Sequence, residues 1–303
     1  MSVEIKNLST EKRNINTIDI DQVETIEILR KINKEDATVA KRVEEELGNI
    51  AKLVDRIVSA FYNDGRLIYM GAGTSGRIGV MDAVECRPTY SCSDEMVQCL
   101  MAGGRDAFIR AAEGAEDSTT LGVEDLKRIN LNKNDVVVGI AASGRTPYVV
   151  SAIKYAKEVG CATGCIVTVK GSILASIVDF PIEVEVGQEV ITGSTRMKSG
   201  TAQKMVCNML STASMIKMGR VYENYMIDVQ ATNEKLVARS EGILTEITGI
   251  SPSDAKEYIK KYGTVKKALI SILTNTESVE EIDEALSKEK GHIRKAMEVL
   301  KNG

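Results

Sequence analysis

Apolar residues along this chain recur in two rhythms. Val39, Val43, Leu47, Ile50, Val54, Ile57 and Val58 follow helical spacing and predict a helix over 37–62, closed by Asn63-Asp64-Gly65. Directly after it the rhythm changes to short unbroken runs of buried-strand type: Leu67 to Met70, Val97 to Met101, Asp135 to Ala142, Cys165 to Val169 and Pro181 to Val186. Helical patterns separate these runs: a piece from Asp106 into Asp117, an amphipathic stretch from Thr119 to Ile129, a helix from Pro147 to Val159, and a long apolar helix from Ala202 to Met218. Strands alternating with helices of this length read as βαβ units, hence an α/β fold with a doubly wound parallel sheet.

The flanks differ from this centre. Residues 1–37 are polar and mixed, with a helical stretch around Val23 to Ile32, and read as an arm that packs on something else. Beyond Tyr222 the pattern is helical: one long element from Tyr225 to Ile247, a helix capped by Ser251-Pro252 and ending at Tyr262, another from Thr264 to Leu273, and a pair between Ser278 and Leu300. The expected organisation is an N-terminal arm and helix over 1–57, a sheet domain over 58–221 and a small helical module over 222–303.

Three of the strand-to-helix junctions share one chemistry. Gly71-Ala72-Gly73-Thr74-Ser75-Gly76-Arg77, Ser143-Gly144-Arg145-Thr146-Pro147 and Thr192-Gly193-Ser194-Thr195-Arg196-Met197-Lys198-Ser199-Gly200-Thr201 are rich in glycine and hydroxyl side chains. In open parallel sheets ligands bind beyond the carboxyl ends of the strands, and free backbone N–H groups at a helix start suit an anion. Gly71, Gly73 and Gly76 also spell the dinucleotide fingerprint. That fingerprint requires an acidic residue about 20 residues on, at the end of the next strand. Here the next run ends in Ala102-Gly103-Gly104, so no nicotinamide or flavin is expected and a phosphorylated small molecule is favoured.

Composition narrows the choice further. With 39 basic and 43 acidic residues, nothing favours nucleic acid or an anionic membrane. No apolar run approaches the roughly 20 residues of a membrane span, and the start of the chain lacks a signal-peptide layout, so a cytoplasmic protein is expected. The six cysteines form no C-x-x-C pair and are read as reduced structural thiols, with no metal and no other cofactor. The single histidine, His292, reads as an exposed residue at a helix start or as a contact reaching the site from the C-terminal module. Catalysis therefore falls to carboxylates, hydroxyls or lysines.

Together the three loops closely resemble the sugar isomerase (SIS) domain loops of the N-acetylmuramic acid 6-phosphate etherases. The resemblance spans nearly the whole chain, including Ala115-Glu116-Asp117-Ser118 and the segment from Asp228 to Asn233. It implies a flavodoxin-like three-layer sandwich and a cytoplasmic homodimer. It also implies cleavage of the D-lactyl ether of N-acetylmuramic acid 6-phosphate, giving N-acetylglucosamine 6-phosphate and D-lactate. The family's catalytic glutamates fall on Glu85 and Glu116. The family usually reads Ser-Glu-Cys-Pro-Pro-Thr where this chain has Val84-Glu85-Cys86-Arg87-Pro88-Thr89. Glucokinase regulatory protein is similar in the same loops and supplies a non-catalytic alternative, a sugar-phosphate sensor; an aldose-ketose isomerase is a third.

An ether at sugar C3 becomes labile once ring opening places an aldehyde at C1 and acidifies the C2 proton. The task needs a base at C2 and an acid at the departing oxygen, and two carboxylates in one pocket can divide it. Glu85 is assigned as the donor to the lactyl oxygen and Glu116 as the base, although the sequence leaves the reverse open. Glu113, three residues before Glu116, shares its face if the piece is helical and is the rival. For the sugar phosphate the expected contacts are Ser75, Ser143 and Thr146, supported by Gly73, Thr74, Gly144, Ser194 and Thr195, with charge from Arg196 or Lys198.

Overall fold

A computed structural model describes residues 9–110, 114–228 and 234–302. The chain divides into two compact units, residues 1–84 with 95–211, and residues 85–94 with 212–303.

In the first unit, α1 (Thr25–Asp36), α2 (Val39–Glu44) and α3 (Leu47–Tyr62) precede β1 (Leu67–Gly71), α4 (Gly73–Tyr90), β2 (Val97–Met101) and α5 (Asp106–Ile109). Next come α6 (Leu121–Arg128), β3 (Val136–Ile140), α7 (Pro147–Val159), β4 (Ala162–Val167), α8 (Ile173–Ile177), β5 (Phe180–Glu183) and α9 (Lys198–Lys217). The last turns of α4 and α9 belong to the second unit. All five strands are parallel, in the order β2-β1-β3-β4-β5, which is the flavodoxin-like winding. The register pairs Gly71 with both Met101 and Ile140, and Ile140 with Ile166, so the strand tips end at one level.

Period-two alternation sends successive residues of each strand to opposite faces. Ile68, Met70, Val137, Cys165 and Val167 pack with Tyr148, Val149, Ala152 and Ile153 of α7 and Leu174 of α8. On the other face α3 packs against β3 and β5, and the Tyr69 hydroxyl donates to Asp82 of α4 at 3.0 Å. Each large apolar side chain fully buried in these layers contributes about 1.5–3 kcal/mol.

Several boundaries differ from the sequence reading. The helix expected over 37–62 is two helices, because Glu46 leaves helical geometry and turns its buried carboxylate to Lys170 Nζ (2.5 Å) and Asn49 Nδ2 (2.8 Å). The helical piece expected from Asp106 to Asp117 is not continuous: Arg110 is extended, and Gly114 at φ 76° opens a separate 3₁₀ turn, Ala115–Asp117. The fourth strand begins at Ala162 rather than Cys165, and α9 begins four residues before Ala202.

The second unit holds a hairpin, β6 (Val221–Tyr222) and β7 (Tyr225–Met226), then α10 (Glu234–Thr248), α11 (Pro252–Tyr262), α12 (Val265–Thr274), α13 (Val279–Lys288) and α14 (Ile293–Asn302). The long element expected from Tyr225 is thus a strand followed by a helix, since Glu223 adopts a left-handed φ of 50° and turns the chain back. Leu244, Tyr262, Leu269, Ile270, Ile282 and Ile293 form its core. Ser251, Thr264 and Ser278 cap their helices through hydroxyls that accept from Asp254, Lys267 and Glu281 N–H groups.

Candidate active site

The β1–α4 turn is built on contact between its glycines. A Cβ on Gly71 would lie 2.7 Å from Gly76 N, and one on Gly76 would lie 2.8 Å from Met101 Cγ, so the strand can enter the helix without an intervening loop. Gly73, at φ 54°, is exposed at the first position of α4. Ser75 is buried and donates from Oγ to Gln203 Oε1 at 3.0 Å. Thr74 lies beside Gly200 of α9, which joins the first hydroxyl loop to the third. Arg77 is occupied structurally, donating to the Phe108 and Ala107 carbonyls at 2.9 and 2.8 Å.

At the β3–α7 junction Gly144 has φ 62°, and a Cβ there would run into the Ser172 side chain. Its carbonyl accepts from Leu174 N at 2.9 Å, locking this loop to the start of α8. Thr146 is the N-cap residue of α7, yet its side chain makes no capping bond, and Pro147 fills the first helical position. Ser143 and Thr146 are both half-buried. Thr168 joins this junction to the third loop: its Oγ1 donates to Ala142 O at 3.1 Å and lies 3.0 Å from Ser199 Oγ.

The third loop departs from expectation. Glu189, fully buried, accepts from Lys198 N and Ser199 N at 2.9 Å each, so the first amides of α9 are already capped by an internal carboxylate. Lys198 Nζ is buried against Glu35 Oε2 at 2.6 Å, which corrects its expected role as a free cation for the phosphate. Burial would raise the Glu35 carboxyl, but hydrogen bonds from Lys198 and Asn16 outweigh it and hold the group below its usual range. The N-terminal arm secures the same loop, with Thr17 Oγ1 donating to Val190 O at 2.9 Å and Gly193 N to Thr10 O at 3.3 Å. Ser194 and Thr195 remain half-buried, and Arg196 is exposed.

Of the two expected catalytic carboxylates, Glu85 is exposed in the last turns of α4. Val84 and Arg87, where the chain departs from the family pattern, are also exposed and leave α4 intact through Tyr90; Arg87 pairs with Asp94. Glu116 is exposed in the 3₁₀ turn, while Glu113 lies outside the described residues. His292 is half-buried at the start of α14, packed on Gly219, and burial first and then Lys295 push its pKa down. The cysteines are free thiols, and no cluster able to hold a metal ion occurs among the described residues. Among them, no helix is long and apolar enough to cross a membrane.

Sequence reasoning missed Gln203, Thr168 and Glu189. Gln203 and Thr168 fall inside an expected helix and strand, and their partners lie far along the chain, 128 residues away for Gln203 with Ser75 and 31 for Thr168 with Ser199; Glu189 falls between expected elements and meets Lys198 and Ser199 nine and ten residues on.

Hydroxyl and glycine loops gathered at the tips of a 2-1-3-4-5 parallel sheet define a SIS-domain protein. Residues 49–157 match the family model for the glucokinase regulatory protein N-terminal SIS domain, residues 122–213 the SIS domain, and residues 223–299 the C-terminal lid domain of glucokinase regulatory protein. N-acetylmuramic acid 6-phosphate etherase of Geobacillus thermodenitrificans is 51% identical over 295 residues, 97% of this chain and 100% of that one. The protein of the same name from Bacillus cereus is 51% identical over 294 residues with the same coverage. The chain belongs to the N-acetylmuramic acid 6-phosphate etherase family. The fold is shared with a Bacteroides fragilis protein of capsule formation assigned to the phosphosugar isomerases, at 22% identity and a TM-score of 0.50, covering 67% of this chain and 95% of that one.

Proposed function

We propose that this protein cleaves the D-lactyl ether of N-acetylmuramic acid 6-phosphate, giving N-acetylglucosamine 6-phosphate and D-lactate. The observation that carries the reading is 51% identity to curated etherases along their whole length, on a chain whose hydroxyl loops meet at the strand tips. The phosphate is held by Ser75, Ser143 and Thr146, helped by Gly73, Thr74, Gly144, Ser194 and Thr195. The capping of α9 by Glu189 favours the first two junctions over the third as the source of backbone donors.

In the open-chain sugar, one carboxylate removes the C2 proton and the C3–O bond breaks. Its electron pair leaves on the lactyl oxygen, which the other side chain, as the protonated carboxylic acid, protonates. Water then adds at C3 of the unsaturated aldehyde, and the proton returns to C2. We assign Glu116 as the base and Glu85 as the acid that afterwards activates the water, each worth about 10²- to 10⁴-fold.

The protein acts as a cytoplasmic homodimer. Glu85 is exposed in the single chain, which favours a second copy excluding water from it. A groove on the first unit, about 480 Å³, whose apolar side is Val80, Val84, Leu100, Met101 and Phe108 and whose charged side is Arg105, Asp125 and Arg128, supports self-association.

The test is D-lactate release from N-acetylmuramic acid 6-phosphate. Glu85→Gln is expected to keep sugar-phosphate binding while release stops, and near-normal turnover would remove Glu85 from the mechanism. The family models for glucokinase regulatory protein give the second reading, a sugar-phosphate sensor. A sensor would bind the substrate and release no lactate from the unaltered protein.

A further inference from the structure

Gln203 is fully buried in the second turn of α9. Its Oε1 accepts the Ser75 hydroxyl proton at 3.0 Å, and its Nε2 is buried without a partner. Buried amide donors are nearly always satisfied, so one left over beside a ligand loop points to a second arrangement. The same turn of α9 lies against the first loop through Gly200 and Thr74.

A hydroxyl has one proton to give, and phosphate oxygens of a dianion only accept. With its proton directed at Gln203, Ser75 has nothing to offer an anion. Rotating the amide by half a turn reverses the polarity: Nε2 donates to Ser75 Oγ, and the Ser75 proton is released toward the strand tips. Oxygen and nitrogen of an amide are almost the same size, so the exchange needs no repacking.

We propose that Gln203 is a positioning residue for the phosphate group. When the anion is bound, the Gln203 amide nitrogen donates to Ser75 Oγ and commits the Ser75 hydroxyl as a donor to a phosphoryl oxygen. This rests on the reading of Ser75 as a phosphate contact.

Steady-state cleavage of N-acetylmuramic acid 6-phosphate, with inorganic phosphate as the competing ligand, tests it in Ser75→Ala, Gln203→Met, Gln203→Glu and the Ser75→Ala/Gln203→Met double variant. Gln203→Glu keeps an acceptor for Ser75 and loses the donor, so a role limited to holding the serine in place survives it. The expected result is a rise of about tenfold or more in KM and in the phosphate inhibition constant for Ser75→Ala and both Gln203 variants, with kcat moved far less. The double variant should match Ser75→Ala alone. Thermal melting identifies any variant that does not fold; should Gln203→Met be one, the isosteric Gln203→Glu decides. Additive losses in the double variant, a rise confined to one of the two Gln203 variants when both fold, or an unchanged KM in Gln203→Glu would overturn the role of Gln203 while Ser75 stands. An unchanged KM in Ser75→Ala would instead overturn the phosphate reading, and this proposal with it.

Discussion

Glu116 and Glu113 divide the question of the base at residue scale. Glu116 lies in the short 3₁₀ turn Ala115–Asp117, opened by Gly114 at φ 76°, while Glu113 lies outside the described residues. Glu116→Gln is expected to lower kcat by about 10²- to 10⁴-fold with KM little changed, and Glu113→Gln by much less. Separate steady-state kinetics of the two variants check this, and a larger loss in Glu113→Gln would transfer the role. The hydroxyl loops could be read from the sequence because each is a local motif following a strand. Gln203 could not, because nothing near it in sequence distinguishes it from any polar residue on an amphipathic helix.

At the scale of elements, α9 shows how the third loop is held. Its first amides bond to Glu189, its Lys198 bonds to Glu35 of α1, and its Ser199 meets Thr168. Lys198→Met would leave Glu35 buried without its cation, held by Asn16 alone, and a loss of up to about 3–5 kcal/mol is expected in denaturant titration. Adding Glu35→Leu should recover much of that loss by removing the stranded charge. The pair also sets a pH dependence. The Glu35 carboxyl is held below its ordinary value of 4.5, so its contribution is present above that value and is lost as pH falls through the lower folded-state value. Glu35→Gln should flatten the acid limb of the stability profile; an unchanged limb would assign acid sensitivity to other carboxylates. The helices and strands of this region were legible from periodicity. The earlier start of α9 was not, because Glu189 caps it from nine residues upstream of Lys198, beyond the reach of a capping box.

For the whole molecule, the question is what covers the groove beside the edge strand β2. Val84, 63% exposed on α4, and Phe108, 46% exposed on α5, line a hollow together with Leu100 and Met101. Unpaired sheet edges and contiguous apolar patches invite association, and a second copy of this chain is the occupant that also brings a second Glu85 next to Val84. Light scattering on a sizing column is expected to report a dimer for the unaltered chain. Val84→Glu combined with Phe108→Glu should shift it toward monomer, since a charge facing an apolar partner costs more than the surface gains. Neither change touches a hydroxyl loop, so inorganic phosphate binding should persist in the monomer while D-lactate release falls and recovers as protein concentration rises. A monomeric unaltered chain with full turnover would show instead that one copy carries the whole site.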